Sequence, residues 1–597
     1  MSRARGDSAW RAADLHQRGL PKEVRKQRGV WFTPPALARP TAARALAPLD
    51  DGRPLRICDP AVGGGSFLLA ARDALSRSTA AFTGVDVDAD ALRIARQALP
   101  DAALLEGDGL TALPDESFDA VLTNPPWETL QDGPDAAARA ASLRPRFALQ
   151  GRGKLFTYRL FLERAYQLLK PGGRLGAVVP ASLWFDRDAE PLRELLLDRC
   201  SWEWLFGFEN REGIFDIDSR YRFGVVIATK GGATSRVQVA FGCTRLAAWA
   251  EDRPAHTRYD RAELRRLSPR AGTFVEVECR RDLEVLTRMH DRGAPLLDAL
   301  TWRQGDYNMT ADRDRFVRRE DAEARGYAPC DDGVWRSGDG PDLLALRQGA
   351  MIYDLDANAG AHDAGVGHQT RWRRPTSAAE LRPLYLVDAA QWQQGAARRA
   401  PARVALRALS NATNERTAIA CLLPDVPCGN SLGVLTPAGA ACDARPLRAL
   451  ATAAAVLGSL PFDWTLRMRL GGTNLNRFVL ADCVLPDACG DARSELAWCA
   501  LRLCATTPWA APLWEQARRE GWASAPEPAT EPAARRALQT RIDVLVGRAF
   551  GLREDDVAWI TRGPPFKKGF WRVERDLAEP ERRPARWRRA AAADPAY

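Results

Sequence analysis

The sequence lacks the signatures of a membrane or secreted protein. No uninterrupted apolar run approaches the roughly 18–20 residues that a membrane-spanning helix needs. The opening residues 1–7 lead into no apolar stretch, so no secretory signal is indicated. These absences predict a cytoplasmic protein that has no membrane partner.

Patterns for metal sites and disulfide frameworks are also missing. The 12 cysteines include no Cys-x-x-Cys pair, and the five histidines do not cluster with them. Neither a zinc site nor a compact disulfide framework is expected, and we predict no bound metal. Reduced, mostly buried thiols are the default for a cytosolic protein.

Length and charge leave several functions open. A chain of 597 residues exceeds the size at which one hydrophobic core keeps growing, so two or three domains are expected. The net charge of +9 and the pI near 9.0 suit a polyanionic partner. An arginine-rich composition without functional meaning explains the same charge.

Strand-like and helix-like segments alternate between residues 28 and 230. Leu55–Cys58, Phe82–Val85 and Phe118–Leu122 are β-rich runs, each followed by a helical pattern. This alternation predicts an α/β fold, a doubly wound Rossmann-like sheet that is mostly parallel and has helices on both faces. Ligands of such sheets bind at the carboxyl ends of the strands.

The periodicity weakens after residue 237 and becomes helical again near the end. We predict a mixed α+β second domain, a helical C-terminal region, and an unstructured basic tail around the run at 581–589. The predicted divisions are 1–27 (N-terminal extension), 28–235 (catalytic domain), 236–481 (second domain), 482–575 (helical region) and 576–597 (basic tail).

A glycine loop follows the first predicted strand. Gly63 and Gly65 allow backbone N–H groups to come close to a ligand and to adopt positive φ. No Gly-Lys-Ser/Thr follows, and Phe67 breaks a dinucleotide fingerprint, so this loop is neither a P-loop nor a dinucleotide site. A purely structural strand-to-helix turn is the alternative.

Two acidic residues end the next two strands. Asp86 is placed to accept hydrogen bonds from both ribose hydroxyls of a nucleoside-like cofactor. Asp88, two residues later, is predicted to cap the following helix. Asp108 could accept from an adenine amino group, and a polar turn residue is the alternative.

The tetrapeptide Asn-Pro-Pro-Trp at 124–127 is the strongest chemical signal. An exocyclic amine on a ring is a poor nucleophile because its lone pair is delocalised. If the Asn124 side-chain oxygen and the Pro125 carbonyl each accept an amino hydrogen, the nitrogen can become tetrahedral and its developing charge is stabilised. Successive prolines fix the backbone, and Trp127 offers a face for an extruded base. A proline turn with a core tryptophan is the alternative.

With these motifs, the chain resembles a gamma-class DNA adenine-N6 methyltransferase of type II restriction–modification and related phage-defence systems. The segment 29–35 matches one that precedes the glycine loop in that family. The resemblance implies that S-adenosyl-L-methionine is the cofactor and is bound by Thr33, Asp59, Pro60, Ala61, Gly63, Gly65, Asp86, Asp108 and Asn124. The implied catalytic residues are Asn124, Pro125, Pro126, Trp127 and Phe215. For Phe215, implied to clamp the flipped base, a core phenylalanine is the alternative.

The likeness continues in the second half, where four segments resemble parts of the family's target-recognition domain: 307–310, 351–354, 411–416 and 471–478. One departure precedes Tyr158, where the family commonly has Asp or Asn and this chain has Phe156 and Thr157. Residues 1–27 are too few for the nuclease domain that fused enzymes carry ahead of the methyltransferase.

The resemblance implies site-specific methylation of a flipped adenine in double-stranded DNA. A separate restriction endonuclease or a defence-complex subunit is an implied partner, and a monomer suits an asymmetric site. Two alternatives remain open. Protein-glutamine and RNA methyltransferases also use Asn-Pro-Pro-aromatic, though they tend to end soon after the catalytic sheet. A non-catalytic DNA-binding scaffold would be expected to lose Asn124 or the glycine loop.

Overall fold

The computed structural model describes residues 33–130, 136–151, 154–394, 400–438, 446–487, 490–522, 527–564 and 566–597. The predicted N-terminal extension 1–27 and the family-like segment 29–32 lie outside these residues. The chain divides into two compact units, with the division between Leu283 and Glu284.

The first unit is built on one nine-stranded sheet. Its strands are β1 (Leu55–Asp59), β2 (Ala80–Asp86), β3 (Ala103–Glu106), β4 (Phe118–Thr123), β5 (Leu169–Pro180), β6 (Cys200–Glu209), β7 (Arg222–Lys230), β8 (Arg236–Cys243) and β9 (Thr257–Asp260). The spatial order is 3-2-1-4-5-7-6-8-9; β1 to β5 pair in parallel, and β7 lies antiparallel between β5 and β6. This confirms the predicted doubly wound α/β fold.

Helices connect and cover these strands. They are α1 (Pro35–Leu46), α2 (Ser66–Ala74), α3 (Ala89–Ala98), α4 (Ala136–Leu143), α5 (Thr157–Leu168), α6 (Ser182–Phe185), α7 (Glu190–Asp198), α8 (Ala247–Ala250) and α9 (Arg261–Leu267); the next helix, α10 (Arg280–Asp291), contains the division between the two units. All six residues of β4 are buried, as expected for a parallel strand that is covered on both faces. Because β1 pairs in parallel with both β2 and β4, the carboxyl ends of these strands lie at one edge of the sheet.

The sheet continues beyond the boundary predicted at residue 235. Strand β8 pairs in parallel with β6, and β9 pairs with β8. The short turn between β7 and β8 leaves no linker, so the first unit includes these strands and extends to Leu283.

The second unit contains several small sheets. Its strands are β10 (Gly293–Pro295), β11 (Leu300–Gln304), β12 (Val317–Arg318), β13 (Ala328–Pro329), β14 (Val334–Arg336), β15 (Leu343–Ala345), β16 (Ala361–Ala364), β17 (Arg371–Arg373), β18 (Tyr385–Asp388), β19 (Ala402–Arg407), β20 (Ala420–Pro424), β21 (Leu432–Pro437) and β22 (Val484–Pro486). The two larger sheets have the orders 11-21-19-20 and 12-18-15-14-13.

The remaining helices belong mostly to the C-terminal part of this unit. They are α11 (Leu296–Ala299), α12 (Arg319–Ala324), α13 (Ala389–Gln393), α14 (Pro446–Leu457), α15 (Leu460–Arg469), α16 (Arg477–Ala481), α17 (Gly490–Cys504), α18 (Ala511–Arg519), α19 (Pro532–Ala549), α20 (Glu554–Ile560) and α21 (Arg583–Ala592). Within the described ranges no single helix is long and apolar enough to cross a membrane; α14 and α15 pass that test only together, with a 67° bend between them.

A buried ionic network joins distant segments of the second unit. Arg583 donates to both oxygens of Asp543, at 2.7 and 2.9 Å, and to both oxygens of Asp354, at 3.0 Å. Arg416 lies 3.1 Å from Asp354 and 2.7 Å from Asp463. Bidentate geometry of this kind offsets the cost of removing the charges from water.

The predicted unstructured basic tail is instead largely helical. The run at 581–589 forms most of α21, in which Arg583 and Trp587 are fully buried. The partners of Arg583 lie 40 and 229 residues away in the sequence. The basic run alone does not indicate that carboxylates from distant parts of the chain pair with it. The pattern therefore predicted a solvent-exposed segment.

We expect Arg583→Ala to lower the free energy of unfolding by about 3–5 kcal/mol, because Asp354 and Asp543 would lose a cation that they share in the interior. Urea denaturation followed by tryptophan fluorescence measures this change. Arg589→Ala, at an exposed position of the same helix, is the matched control and should shift stability by no more than about 0.5 kcal/mol. Equal stability of the two variants would contradict the role assigned to Arg583.

Candidate active site

The glycine loop after β1 is shaped by backbone hydrogen bonds. The Asp59 Oδ1 accepts from the Ala61 N–H at 3.0 Å, and the Gly63 N–H donates to the Asp86 Oδ2 at 2.8 Å. Gly65 has φ +89° and begins α2, while Gly63 has φ +48° with open space beside its Cα. The loop therefore presents a bare backbone surface that a ligand can approach closely.

Asp86 lies at the end of β2, beside this surface. Its carboxylate accepts N–H groups from Gly63 and, at 2.9 Å, from Asp88, which fix its orientation. Asp88 in turn caps α3, as predicted, through bonds from two backbone N–H groups. The next side chain, Val87, is 71% exposed and offers an apolar platform beside the Asp86 carboxylate. Sequence reasoning missed Val87, although its position directly after the strand-ending acid was a usable signal.

The turn after β3 packs directly against the glycine loop. A Cβ on Gly109 would lie 1.8 Å from the Pro60 carbonyl oxygen, so only glycine fits there. The neighbouring Asp108 accepts from the Leu110 N–H at 3.0 Å and from Arg139 of α4 at 3.1 Å. Asp108 thus stands at the predicted place with its carboxylate already engaged, and Gly109 is a second residue that sequence reasoning missed.

We expect Gly109→Ala to weaken binding of S-adenosylmethionine by more than about tenfold, because the new methyl group must displace the Pro60 carbonyl and distort the glycine loop. Isothermal titration of the purified chain measures this change. Gly107→Ala is the matched control, since its Cβ would meet nothing closer than 3.9 Å. Wild-type affinity in both variants would refute the importance of this close approach.

Asn124 follows β4 and contacts Thr33. The Asn124 Nδ2 donates to the Thr33 Oγ1 at 3.1 Å, and Thr33 is buried. This bond orients the amide so that its Oδ1 is presented on the side away from Thr33. The structure thereby brings together two residues that lie 91 positions apart and that the sequence assigned to the same site.

Trp127 belongs to a cluster of aromatic rings. Phe215 meets it edge-on, with ring centroids 5.3 Å apart and a 75° angle between the planes. Tyr221 lies parallel to it, at 5.8 Å and 7°. Phe215 is only 3% exposed, whereas Tyr221 is 40% exposed at the surface of the cluster. Phe215 therefore lies beside Trp127, as predicted, but Tyr221 is the ring that faces the indole plane.

Local hydrogen bonds hold the segment that carries these rings. The Asn210 side chain accepts from the Phe215 N–H at 2.9 Å and donates to the Phe215 carbonyl at 2.8 Å. Phe223, on β7, completes the cluster at 5.8 Å from Trp127. Tyr221, two residues before Phe223, is the most exposed ring of this cluster. Nothing in the local pattern distinguished Tyr221 from other exposed tyrosines.

Two carboxyl groups at this edge have altered acidity. Burial raises the pKa of Asp59 to about 7, and the charge of Asp86 adds to that effect. Burial also raises the pKa of Glu128, the residue after Trp127, to about 7.

The Glu128 carbonyl accepts hydrogen bonds from the backbone N–H and the hydroxyl of Thr157, at 2.9 and 3.1 Å. Thr157, one of the two residues at which the chain departs from the family pattern, thus supports the loop that carries Trp127.

Residues 101–215 match the family model of the Eco57I restriction-modification methylases. The matched stretch includes Asp108, the tetrapeptide at 124–127, and Phe215. This stretch of the chain therefore resembles an Eco57I restriction-modification methylase domain.

S-adenosylmethionine is the expected cofactor of this methylase domain. The residues present fit it: the glycine loop has a bare backbone surface, Asp86 is oriented for hydroxyl groups, and Val87 is exposed for an apolar contact. No group of three or more His, Cys, Asp or Glu able to hold a metal ion occurs within the described ranges.

Several known proteins resemble parts of the chain. The Type II methyltransferase M.TthHB8I of Thermus thermophilus is 32% identical over 168 residues, which are 28% of this chain and 37% of the Thermus protein. The release factor glutamine methyltransferase of Caulobacter vibrioides is 35% identical over 122 residues, 19% of this chain and 42% of that protein. The chain therefore spans less than half the length of these relatives.

One solved structure is that of the type IIL restriction-modification enzyme MmeI in complex with DNA. The alignment covers 89% of this chain and 73% of the MmeI chain. The identity is 12% and the TM-score is 0.46.

Proposed function

We propose that the protein is a site-specific DNA methyltransferase that modifies the N6 amino group of a flipped adenine in double-stranded DNA. The observation that carries the proposal is the placement of Asn124 and Trp127 directly after β4. There, Thr33 orients the amide and Tyr221 faces the indole. The glycine loop and Asp86 lie at the same edge of the sheet, so acceptor and donor sites adjoin.

The chain's own residues position and activate the amine. When bound, S-adenosylmethionine supplies an electrophilic methyl group to which the amine nitrogen can bond. The Asn124 Oδ1 and the Pro125 carbonyl each accept one amino hydrogen, which draws the nitrogen lone pair out of the ring system. Thr33 holds the amide in that orientation, and Pro126 keeps the backbone rigid. This arrangement is worth most in the transition state, where the nitrogen becomes positive.

A DNA acceptor accounts for more of the chain than the alternatives do. The residues that match the methylase family model lie within the first unit, and we assign sequence readout to the second unit. Type II methyltransferases are among the relatives, and the net charge of +9 suits a polyanion. A separate restriction endonuclease or a defence-complex subunit is a further partner that we propose, with the methyltransferase itself as a monomer in the cytoplasm.

The relative from Caulobacter favours a second candidate, methylation of a glutamine side chain in a protein. The chemistry is the same, because a carboxamide nitrogen is also conjugated and also donates two hydrogens. The two candidates differ in what Trp127 must hold: an extruded base needs an aromatic face, whereas a narrow amide does not. Methylation of release factor and of plasmid DNA in parallel reactions distinguishes them.

We expect Asn124→Ala to abolish methyl transfer while cofactor affinity stays within about tenfold, because the Asn124 oxygen is needed to activate the amine and the other residues implied to bind the cofactor remain. Plasmid DNA is incubated with the protein and S-adenosylmethionine, and modified bases are mapped by single-molecule sequencing. Retained activity in this variant would contradict the role of Asn124 in activating the amine. Unmodified DNA with wild-type protein that still binds cofactor would favour the protein acceptor.

We expect Tyr221→Ala to reduce kcat/KM for DNA by roughly 5- to 100-fold, the effect of losing one ring that stacks on a base. Tyr221→Phe keeps the ring and should retain nearly full activity, and both variants should bind the cofactor normally. Steady-state methylation of a duplex that contains the mapped site measures these values. Higher activity in Tyr221→Ala would instead indicate that the Tyr221 ring blocks access of the base to Trp127.

A further inference from the structure

Loops of the second unit that carry two of the family-like segments lie side by side. The Ser410 N–H donates to the Thr473 carbonyl at 2.9 Å, and Leu409 pairs with Asn474 in an antiparallel bridge. The loop that begins at residue 409 and the loop around residue 473 therefore form one continuous surface.

A third loop extends this surface. Arg572 donates to the Thr413 carbonyl, and the Glu574 N–H donates to the Glu415 carboxylate at 3.0 Å. We use the term loop surface for the three segments together, residues 409–415, 471–478 and 566–575.

The core of the unit fixes these loops in place. Fully buried Arg467 donates to the carbonyl of Glu415 at 2.6 Å and to the carbonyl of Gly569 at 3.0 Å. The same guanidinium lies 4.5 Å from the Phe570 ring and bonds to Asp463 at 2.7 Å. The loops are consequently preorganised, and binding through them costs little conformational entropy.

The loop surface exposes large apolar and amide side chains to solvent. Leu409 is 57% exposed and Trp571 is 39% exposed, and they are two of the few large apolar side chains at the surface of the described residues. Asn414 and Asn474 are exposed on the same surface. Arg572 stacks on Trp571 at 4.4 Å, and neither this contact nor its bond to a carbonyl neutralises its charge.

Charge indicates the chemistry of the partner. The loop surface has five basic residues, Arg477, Lys567, Lys568, Arg572 and Arg575, and two acidic ones, Glu415 and Glu574. Asp576, which directly follows the surface, lies 3.9 Å from Arg575 and offsets part of this positive charge. Both acids are engaged within the unit, Glu415 with the Tyr353 hydroxyl at 2.9 Å and Glu574 with Arg586 at 2.8 Å. The surface is thus positive, and a polyanion is the partner that it favours.

We propose that the loop surface contacts duplex DNA, with Arg572 on a phosphate and Asn414 and Asn474 directed to base edges. Asparagine side chains pair with adenine edges in the groove, and apolar side chains such as Leu409 and Trp571 contact sugars or base steps. This inference rests on the proposed function for the identity of the DNA as a methylation substrate. It goes further by naming the residues that hold the DNA.

Fluorescence anisotropy of the full-length chain with a labelled 30-bp duplex tests the proposal over a series of salt concentrations. We expect Arg572→Gln to weaken binding about 3- to 10-fold and to lower the slope of log K against log [salt] by about 0.9, the loss of one phosphate contact. Arg572→Lys, which keeps the charge, should recover most of that loss. Asn474→Ala should bind the duplex almost normally but relax the preference for the methylated sequence about tenfold.

Arg325→Gln, at an exposed arginine elsewhere in the second unit, is the matched control and should bind as the wild type does. Cofactor titration and thermal unfolding verify that each variant is folded. The proposal is overturned if the wild type binds no duplex, or if Arg572→Gln has the affinity and salt slope of Arg325→Gln. If the wild-type protein binds duplex DNA through Arg572 but methylates no DNA, the DNA-contacting role of the loop surface is supported and the proposed methyltransferase function is refuted.

Discussion

The candidate site depends on the close approach of two loops at one edge of the sheet. The Pro60 carbonyl lies where any side chain on Gly109 would have to go, and this contact packs the turn after β3 onto the turn after β1. Because β1, β2 and β4 are parallel, their carboxyl ends deliver the glycine loop, Asp86 and Asn124 to the same place. The expected cofactor surface and the acceptor tetrapeptide are therefore neighbours by topology.

Local patterns were sufficient to predict most of this edge. Asp59, Asp86 and Asn124 each end a strand that alternation and hydrophobic runs reveal, so their convergence followed from the predicted parallel sheet. Val87 and Gly109 could have been found as well, because each directly follows a predicted acid. Tyr221 could not, since its parallel placement on Trp127 depends on how β7 is packed.

The second unit was far less predictable, because its stability comes from contacts between distant segments. Short strands and polar loops give weak periodicity, and the basic run at 581–589 looks solvated until its carboxylate partners are known. Arg583 and Asp354 are separated by 229 residues. The family-like segments were visible in the sequence, but only the structure shows that residues 409–415 and 471–478 are adjacent.

The placement of Arg583 also bears on how the protein is made. A chain leaving the ribosome presents the whole sheet of the first unit before any of the second, so the first unit can fold during synthesis. The second unit completes its ionic network later, because Asp354 and Asp543 are translated before Arg583, the cation that they share. Incomplete chains that stop short of α21 would lack the cation that Asp354 and Asp543 share, so we expect their second unit to be less stable than that of the full-length chain.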